Sequence, residues 1–292
     1  MVAVGGHESD GGQALRGLLD PQVHTVTGGR GLLRWVREAR GRGERVCVVP
    51  MTLGRDAELV ADTARTLLGL SPDERSGTVL AEPFGTAGHL VGWLRAAAAK
   101  APAEAALLVT APSGDPFDDA ELYRIARLAR QYGRHRTVEV ALIGGDPAPA
   151  DGVRRCLALG AERVVLLPAS WVTPEVPDPE HSELGQALLS PAAVMGVLDA
   201  RVRQAWRMLD ERGADGLAPA LAAAHGHDHS HSHSHSHSHS HAHGDPPSEA
   251  DHARYGDPPP REHAPHFPPG RIQAASHHRA DARPALVSRS IP

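Results

Sequence analysis

The histidines of this chain fall into two groups that differ in spacing. Fifteen of the 20 histidines lie between His225 and His278, and ten of these stand at alternate positions. Imidazoles spaced in this way on a flexible chain can gather around a divalent metal ion without a fixed geometry. We therefore predict a metal-capturing segment, with an inert spacer as the alternative. Its members are His225, His227, His229, His231, His233, His235, His237, His239, His241 and His243.

A second set of ionisable residues follows the short apolar runs of the first hundred residues. His7 and Glu8 come directly after the first run, Glu58 follows the run of residues 45–50, and His89 follows the run of residues 78–82. Imidazole and carboxylate donors suit Co²⁺, Ni²⁺ or Fe²⁺, and imidazole also accepts protons near neutral pH. The alternative is that such residues cap helices and solvate loops, which is how we interpret Asp56.

The elements that must position these residues alternate along the chain. Short apolar runs of strand length are separated by longer segments with helical periodicity. This alternation predicts an α/β fold in which helices cover both faces of a parallel sheet. Ligands bind at the carboxyl ends of such strands, where the residues named above are expected. The predicted strands are residues 2–6, 23–27, 45–50, 78–82, 106–110, 137–143 and 163–168.

The chain also contains an internal similarity and a change in composition. Residues 44–50 resemble residues 162–168, which predicts two similar halves. We divide the chain into residues 1–103, residues 104–217 and a tail of residues 218–292. The second half shows no clear fourth strand after Pro168. The tail is rich in proline and histidine and poor in apolar residues, so we predict that it is disordered.

Composition and charge exclude several classes of protein. A net charge of −5 and an aromatic content of 3% argue against a nucleic-acid-binding protein. Two cysteines do not make a disulfide framework, and no targeting or membrane-spanning segment is evident, so we expect a cytoplasmic protein. The sequence lacks the glycine-rich and lysine motifs of nucleotide sites, and no nucleotide cofactor is expected.

Three stretches of the sequence resemble the CbiX-type sirohydrochlorin cobaltochelatases, in their long two-half form. They are residues 2–9, residues 48–62 and, as the most specific, residues 113–168; the histidine-rich segment also fits. The resemblance implies two chelatase-like halves. It also implies a lyase-class enzyme that inserts a divalent metal into sirohydrochlorin, a tetrapyrrole, without ATP. The expected substrate metal is Co²⁺, with Ni²⁺ or Fe²⁺ as alternatives, and the expected pathway is cobalamin or sirohaem biosynthesis.

The resemblance also assigns roles to individual residues. His7 matches the family's first active-site histidine, and it is expected to bind the metal and accept a proton. Glu58 stands where the family has a second histidine, and it is expected to be a second catalytic metal ligand. Glu8 and His89 are further candidate ligands. Ala111 occupies the position matching His7 in the second half, which is therefore expected to be a scaffold. The alternative function is a metal-binding or storage protein on a degenerate chelatase scaffold.

Overall fold

Two four-stranded parallel sheets form the framework of the described chain. The first has the strand order β2-β1-β3-β4, and the second has the equivalent order β6-β5-β7-β8. The predicted α/β class with two similar halves is therefore confirmed. In chain order the strands are β1 (Val2–Gly5), β2 (His24–Thr27), β3 (Val46–Pro50), β4 (Thr78–Leu80), β5 (Ala106–Pro112), β6 (Val138–Ile143), β7 (Val164–Pro168) and β8 (Ser182–Leu184).

The central strands are apolar on both faces because helices cover both sides of each sheet. All residues of β1, β3 and β7 are buried, whereas the edge strand β2 is half-exposed and carries threonine and histidine. The α-helices of the described residues are α1 (Arg30–Gly41), α2 (Ala57–Leu68), α3 (Pro72–Arg75), α4 (Ala87–Ala98), α5 (Pro116–Gln131), α6 (Pro149–Ala158), α7 (Pro191–Arg212) and α8 (Leu217–Ala223).

One hydrophobic core joins the two halves. Val49 of the first sheet and Val109 of the second belong to the same cluster of buried side chains, which also includes residues of α4 and α5. Because the two sheets share this core, the loops at their carboxyl ends are held in fixed positions. The predicted boundary near residue 103 remains a prediction about chain organisation.

The second sheet has a fourth strand, which corrects the expectation that this strand was lost. β8 pairs in parallel with β7 through three residues, with Ser182 opposite Val164. Ser182 is buried, but Glu183 and Leu184 are exposed at the edge of the sheet. A three-residue edge strand that is partly polar has no apolar run, and the hydrophobic pattern could not reveal it.

The C-terminal boundary of the ordered part also differs from the prediction. Residues 218–223 were expected to be disordered, but they lie in α8, whose Leu217 and Ala220 are buried in a cluster with Val60 of α2. Just before this helix, the Asp215 carbonyl accepts a hydrogen bond from the Leu80 N–H at 2.8 Å. This contact pairs the free edge of β4, and a helix of one or two turns was too short to be recognised from periodicity.

The structure, a computed structural model, describes residues 1–131 and 133–223. The predicted disorder from residue 224 onward and the ten alternating histidines, from His225 to His243, lie outside these residues. Within the described ranges, no helix combines the length and the apolar character that crossing a membrane requires.

Candidate site around His7

His7 follows β1 after one residue, Gly6, and begins a short helical turn, His7–Ser9. It lies beside Asp56, the residue that precedes α2. A Cβ atom on Gly6 would lie 2.3 Å from Asp56 Oδ2, so glycine at this position allows the carboxylate to approach. The ends of β1 and β3 thus bring an imidazole and a carboxylate together, as expected for neighbouring parallel strands.

The Asp56 carboxylate has two hydrogen-bonded neighbours. Its Oδ2 lies 2.9 Å from His7 Nδ1, and its Oδ1 accepts the Leu59 N–H at 2.8 Å. The second contact is the helix cap that the sequence predicted, and the first orients His7. Because one carboxylate serves both the helix and the imidazole, the position of the His7 ring is fixed by α2.

The other imidazole nitrogen of His7 faces groups of opposite charge. Arg55 Nη2 lies 3.5 Å from Nε2, and Asp118 Oδ2 lies 3.9 Å from it. A guanidinium can only donate, so its contact requires a lone pair on Nε2 and a proton on Nδ1, directed at Asp56. Asp118 belongs to α5, and the half that was expected to be a scaffold therefore contributes a side chain beside His7.

Arg55 and Glu8 are buried behind His7, each with about 1% of its surface exposed. Arg55 donates to the Pro112 carbonyl at 3.2 Å and to the Asp118 carbonyl at 3.4 Å, which links the two halves. Its Nε lies 3.6 Å from Glu8 Oε1, and Glu8 Oε2 accepts the Leu53 N–H at 2.8 Å. The Glu8 carboxylate is thus engaged in the protein interior, by Arg55 and by the Leu53 backbone.

The pKa values of this cluster reflect burial and an excess of carboxylates. Burial lowers the pKa of His7, but the hydrogen bond and charge of Asp56 and the charge of Glu8 outweigh it, so the pKa is raised above 6.5. Burial, followed by the charges of Asp115 and Asp56, raises the pKa of Asp118 to about 6. Burial also raises the pKa of the Glu8 carboxyl. His7 and Asp118 are thus neighbours whose pKa values are both raised, and a proton can pass between them.

His7, Asp56 and Asp118 line an open cavity of about 600 Å³, whose wall also includes Glu58. The cavity is acidic, which favours a cation over an anion. Glu58 reaches this wall, but its carboxylate lies 2.9 Å from the Arg65 guanidinium on the surface of α2. The structure therefore brings Glu58 to the same cavity as His7 and binds its carboxylate to an arginine.

His89, the remaining predicted ligand, makes contacts within α4. Its Nδ1 accepts the Thr86 N–H at 3.2 Å, which completes the cap of the helix. Its ring stacks on Trp93 at 5.6 Å between centroids, and it is not among the residues that line the His7 cavity. Among residues 1–131 and 133–223, no three His, Cys, Asp or Glu side chains stand in an arrangement that could hold a metal ion.

Neither Arg55 nor Asp118 was assigned a role from the sequence. Arg55 stands in the segment after β3, at the edge of the sheet where ligands are expected, and this position was the signal that could have identified it. Asp118 lies in the first turn of α5, where an acidic residue is ordinarily explained by the helix dipole. Its approach to His7 depends on the packing of the two halves, which no local pattern encodes.

Comparison with known proteins identifies one curated relative. The sirohydrochlorin cobaltochelatase of Priestia megaterium is 41% identical over 70 residues, which is 23% of this chain and 23% of that protein. The matched segment thus spans about a quarter of the relative's length. No protein-family model matches the chain.

Solved structures similar to the chain include two of SirB chelatases. SirB from Bacillus subtilis with Fe³⁺ is 15% identical, covers 73% of this chain and 98% of SirB, and superposes with a TM-score of 0.49. The sirohydrochlorin chelatase SirB from Bacillus subtilis subspecies spizizenii in complex with cobalt is 13% identical, covers 72% of this chain and 95% of its own, and gives a TM-score of 0.46. Over these 70 residues, the curated relative confirms the resemblance to the sirohydrochlorin cobaltochelatases that the sequence indicated.

Proposed function

We propose that this protein inserts a divalent metal ion into sirohydrochlorin without ATP. The observation that carries this proposal is the position of His7, between Asp56 and Asp118 on the wall of an acidic cavity. The similarity to a curated sirohydrochlorin cobaltochelatase supports the choice of tetrapyrrole. The substrate metal is proposed to be Co²⁺, with Ni²⁺ and Fe²⁺ as alternatives, and the pathway cobalamin or sirohaem biosynthesis in the cytoplasm.

The reaction exchanges two pyrrole N–H protons of the ring for one metal ion. In the proposed mechanism, His7 Nε2 first contacts the metal and, once the ion has passed to the ring, accepts one pyrrole proton. The second pyrrole proton leaves to the water of the open cavity. Asp56 holds the ring of His7 through Nδ1 and stabilises the imidazolium that forms. This arrangement resembles that of general bases whose tautomer is set by a carboxylate.

The other predicted residues take different places in this proposal. Glu58 contributes negative charge at the cavity wall, which attracts the incoming cation. Glu8 is assigned to the buried pair with Arg55, and His89 to the cap of α4, because their side chains are engaged there.

The substitution His7→Ala tests the proposal. Loss of the proton acceptor should reduce the rate of Co²⁺ insertion into sirohydrochlorin by at least about 100-fold. His181→Ala is a matched control, because His181 is half-exposed and pairs with Asp178 instead. Insertion is followed by the change in absorbance of the ring. A His7→Ala protein that inserts Co²⁺ at the wild-type rate would contradict the assignment.

The ten alternating histidines, His225 to His243, are proposed to capture metal for this site. Removal of residues 224–292 should lower the number of Co²⁺ ions bound per chain and leave the melting temperature unchanged. The deletion starts after α8, because Leu217 and Ala220 are part of the core. Metal stoichiometry is measured by equilibrium dialysis, and an unchanged value would exclude this role.

A second candidate is a metal-binding or storage protein on a degenerate chelatase scaffold. It is favoured by Glu58, which stands in place of a second imidazole and pairs with Arg65. Such a protein would bind Co²⁺ without accelerating its insertion into sirohydrochlorin, so the insertion assay separates the two candidates.

A further inference from the structure

Asp118 lies close enough to His7 to act as a second metal donor, a role that the sequence did not assign to it. We propose that His7 Nε2 and the Asp118 carboxylate hold the substrate cation between them. The Arg55 guanidinium, 3.5 Å from Nε2, occupies the lone pair of that nitrogen until the cation displaces it. The proposal rests on the proposed function for the identification of the cation as the substrate.

The donor pair follows from the contacts of His7. Asp56 already accepts from Nδ1, so Nε2 is the nitrogen left for a ligand. A divalent ion lies about 2.0–2.2 Å from imidazole nitrogen and carboxylate oxygen. Two donors 3.9 Å apart, as Nε2 and Asp118 Oδ2 are, can therefore share one ion. Glu58, the donor predicted from the resemblance, is bound to Arg65 at 2.9 Å instead.

Arg55 is loosely held for a buried arginine. Its guanidinium contacts measure 3.2 Å to the Pro112 carbonyl, 3.4 Å to the Asp118 carbonyl and 3.5 Å to His7 Nε2. These distances lie at or beyond the upper end of the usual range of roughly 2.7–3.2 Å. The buried atoms Arg55 Nε and Glu8 Oε1 have no hydrogen-bond partner. The arginine is thus retained mainly by charge, and another cation can replace it.

The charges around Arg55 favour such a replacement. Three carboxylates, those of Glu8, Asp56 and Asp118, surround one guanidinium and one imidazole. A buried carboxylate requires a positive partner, and a single monovalent cation leaves the cluster with excess negative charge. A divalent ion at Nε2 provides more positive charge in the same place.

The experiment measures how Co²⁺ protects His7 of the full chain from modification by diethyl pyrocarbonate. The tryptic peptide of residues 1–16 contains one histidine, His7, so mass spectrometry of this peptide is not affected by the histidines of the tail. Asp118→Asn should raise the Co²⁺ concentration for half-protection by at least about tenfold, as expected for loss of a metal donor. Arg55→Gln should lower it by about tenfold, because the competing cation is removed. Glu121→Gln is the matched control on α5, since its carboxylate pairs with Arg124.

Several results would overturn the proposal. Unchanged half-protection in Asp118→Asn, or a larger rise in Glu58→Gln than in Asp118→Asn, removes the donor assignment. Unchanged or weaker protection in a folded Arg55→Gln protein removes the displacement. Should Arg55→Gln fail to fold, Arg55→Lys replaces it, since a shorter cation that cannot span the same contacts should also lower the concentration required.

The same assay separates this proposal from the proposed function. Protection of His7 requires the metal alone and no tetrapyrrole. Protection that depends on Asp118 without any insertion activity would keep the cation site and reject the chelatase. Insertion of Co²⁺ at a wild-type rate in Asp118→Asn would keep the chelatase and reject the cation site.

Discussion

The two sheets have equivalent strand orders but end in different chemistry. The end of β1 carries His7 and Glu8, whereas the equivalent strand β5 ends in Ala111 and Pro112, which have no ionisable side chain. The second half nevertheless contributes to the site, through the Pro112 carbonyl and Asp118. The repeated fold therefore places a strand end at an equivalent position in each half. The residues at that strand end determine whether it can bind a ligand or transfer protons.

The loops after β3 and β7 differ in the same way. The loop after β3 supplies Arg55 and Asp56, whereas the loop after β7 supplies Trp171. The Trp171 backbone N–H donates to the Glu8 carbonyl at 2.9 Å, and its Nε1–H donates to the Met51 carbonyl at 2.8 Å. The loop after β3 thus supplies ionisable side chains beside His7, and the loop after β7 holds the backbone of Glu8 and Met51 in place.

The largest effect is expected from a substitution of Asp56, which caps α2 and holds the ring of His7. Asp56→Asn keeps the cap of α2, since asparagine caps as well as aspartate, but its amide can favour the wrong tautomer of His7. We expect Co²⁺ insertion to fall by about 100-fold. Asp119→Asn is the comparison in the second half: Asp119 lies in the first turn of α5 and accepts from the Ser113 hydroxyl and the Gly114 N–H. Equal loss of insertion rate in both variants would show that the two halves are not functionally different.

The edge of the first sheet offers a stability test. A Cβ atom on Gly216 would lie 1.9 Å from the Leu80 carbonyl oxygen, and the residue has a φ of +83°. Gly216→Ala should therefore lower the free energy of unfolding by roughly 2–3 kcal/mol, measured by urea denaturation. Gly213→Ala has a similar φ of +65° with open space around it, and should cost only about 1 kcal/mol. Equal losses would mean that the positive φ alone, and not the contact with Leu80 of β4, determines the loss of stability.

The contact between the halves predicts a pH dependence of stability. The pKa of Asp118 is raised from 3.8 to about 6, so the folded protein holds a proton that the unfolded chain has released between these values. The raised pKa of Asp118 therefore stabilises the folded state at pH 4. This stabilisation, roughly 2 kcal/mol, is lost as the pH rises through 6. Relative to wild type, metal-free Asp118→Asn should become more stable as the pH is raised from 4 to 7. Parallel pH profiles from urea denaturation would contradict this prediction.

The smallest effect is expected at Trp171. Trp171→Phe removes the Nε1–H donor and leaves the buried Met51 carbonyl without this partner, at a cost of roughly 1 kcal/mol. Thermal unfolding measures the change, and Trp35→Phe on α1 is a control whose indole packs against His24. A larger loss in Trp35→Phe would mean that the loop after β7 does not secure the site.

The sequence predicted those features that depend on local patterns. Apolar runs located the long strands, and the position of His7 after the first run placed it at the rim of the sheet. Arg55 and Asp118 could not be predicted in the same way, because their relation to His7 arises from packing of one half on the other. β8 and α8 were missed because each is short and gains its stability from contacts with distant residues.

The helix α8 has a consequence for the supply of metal. It packs on α2, the helix that Asp56 caps, and the histidine repeat begins at His225, two residues after α8 ends. Any ion bound by that repeat is carried on the same chain as His7. Its encounter with the cavity is then intramolecular, governed by an effective concentration that the length of chain sets and that dilution of the metal in the surroundings does not change.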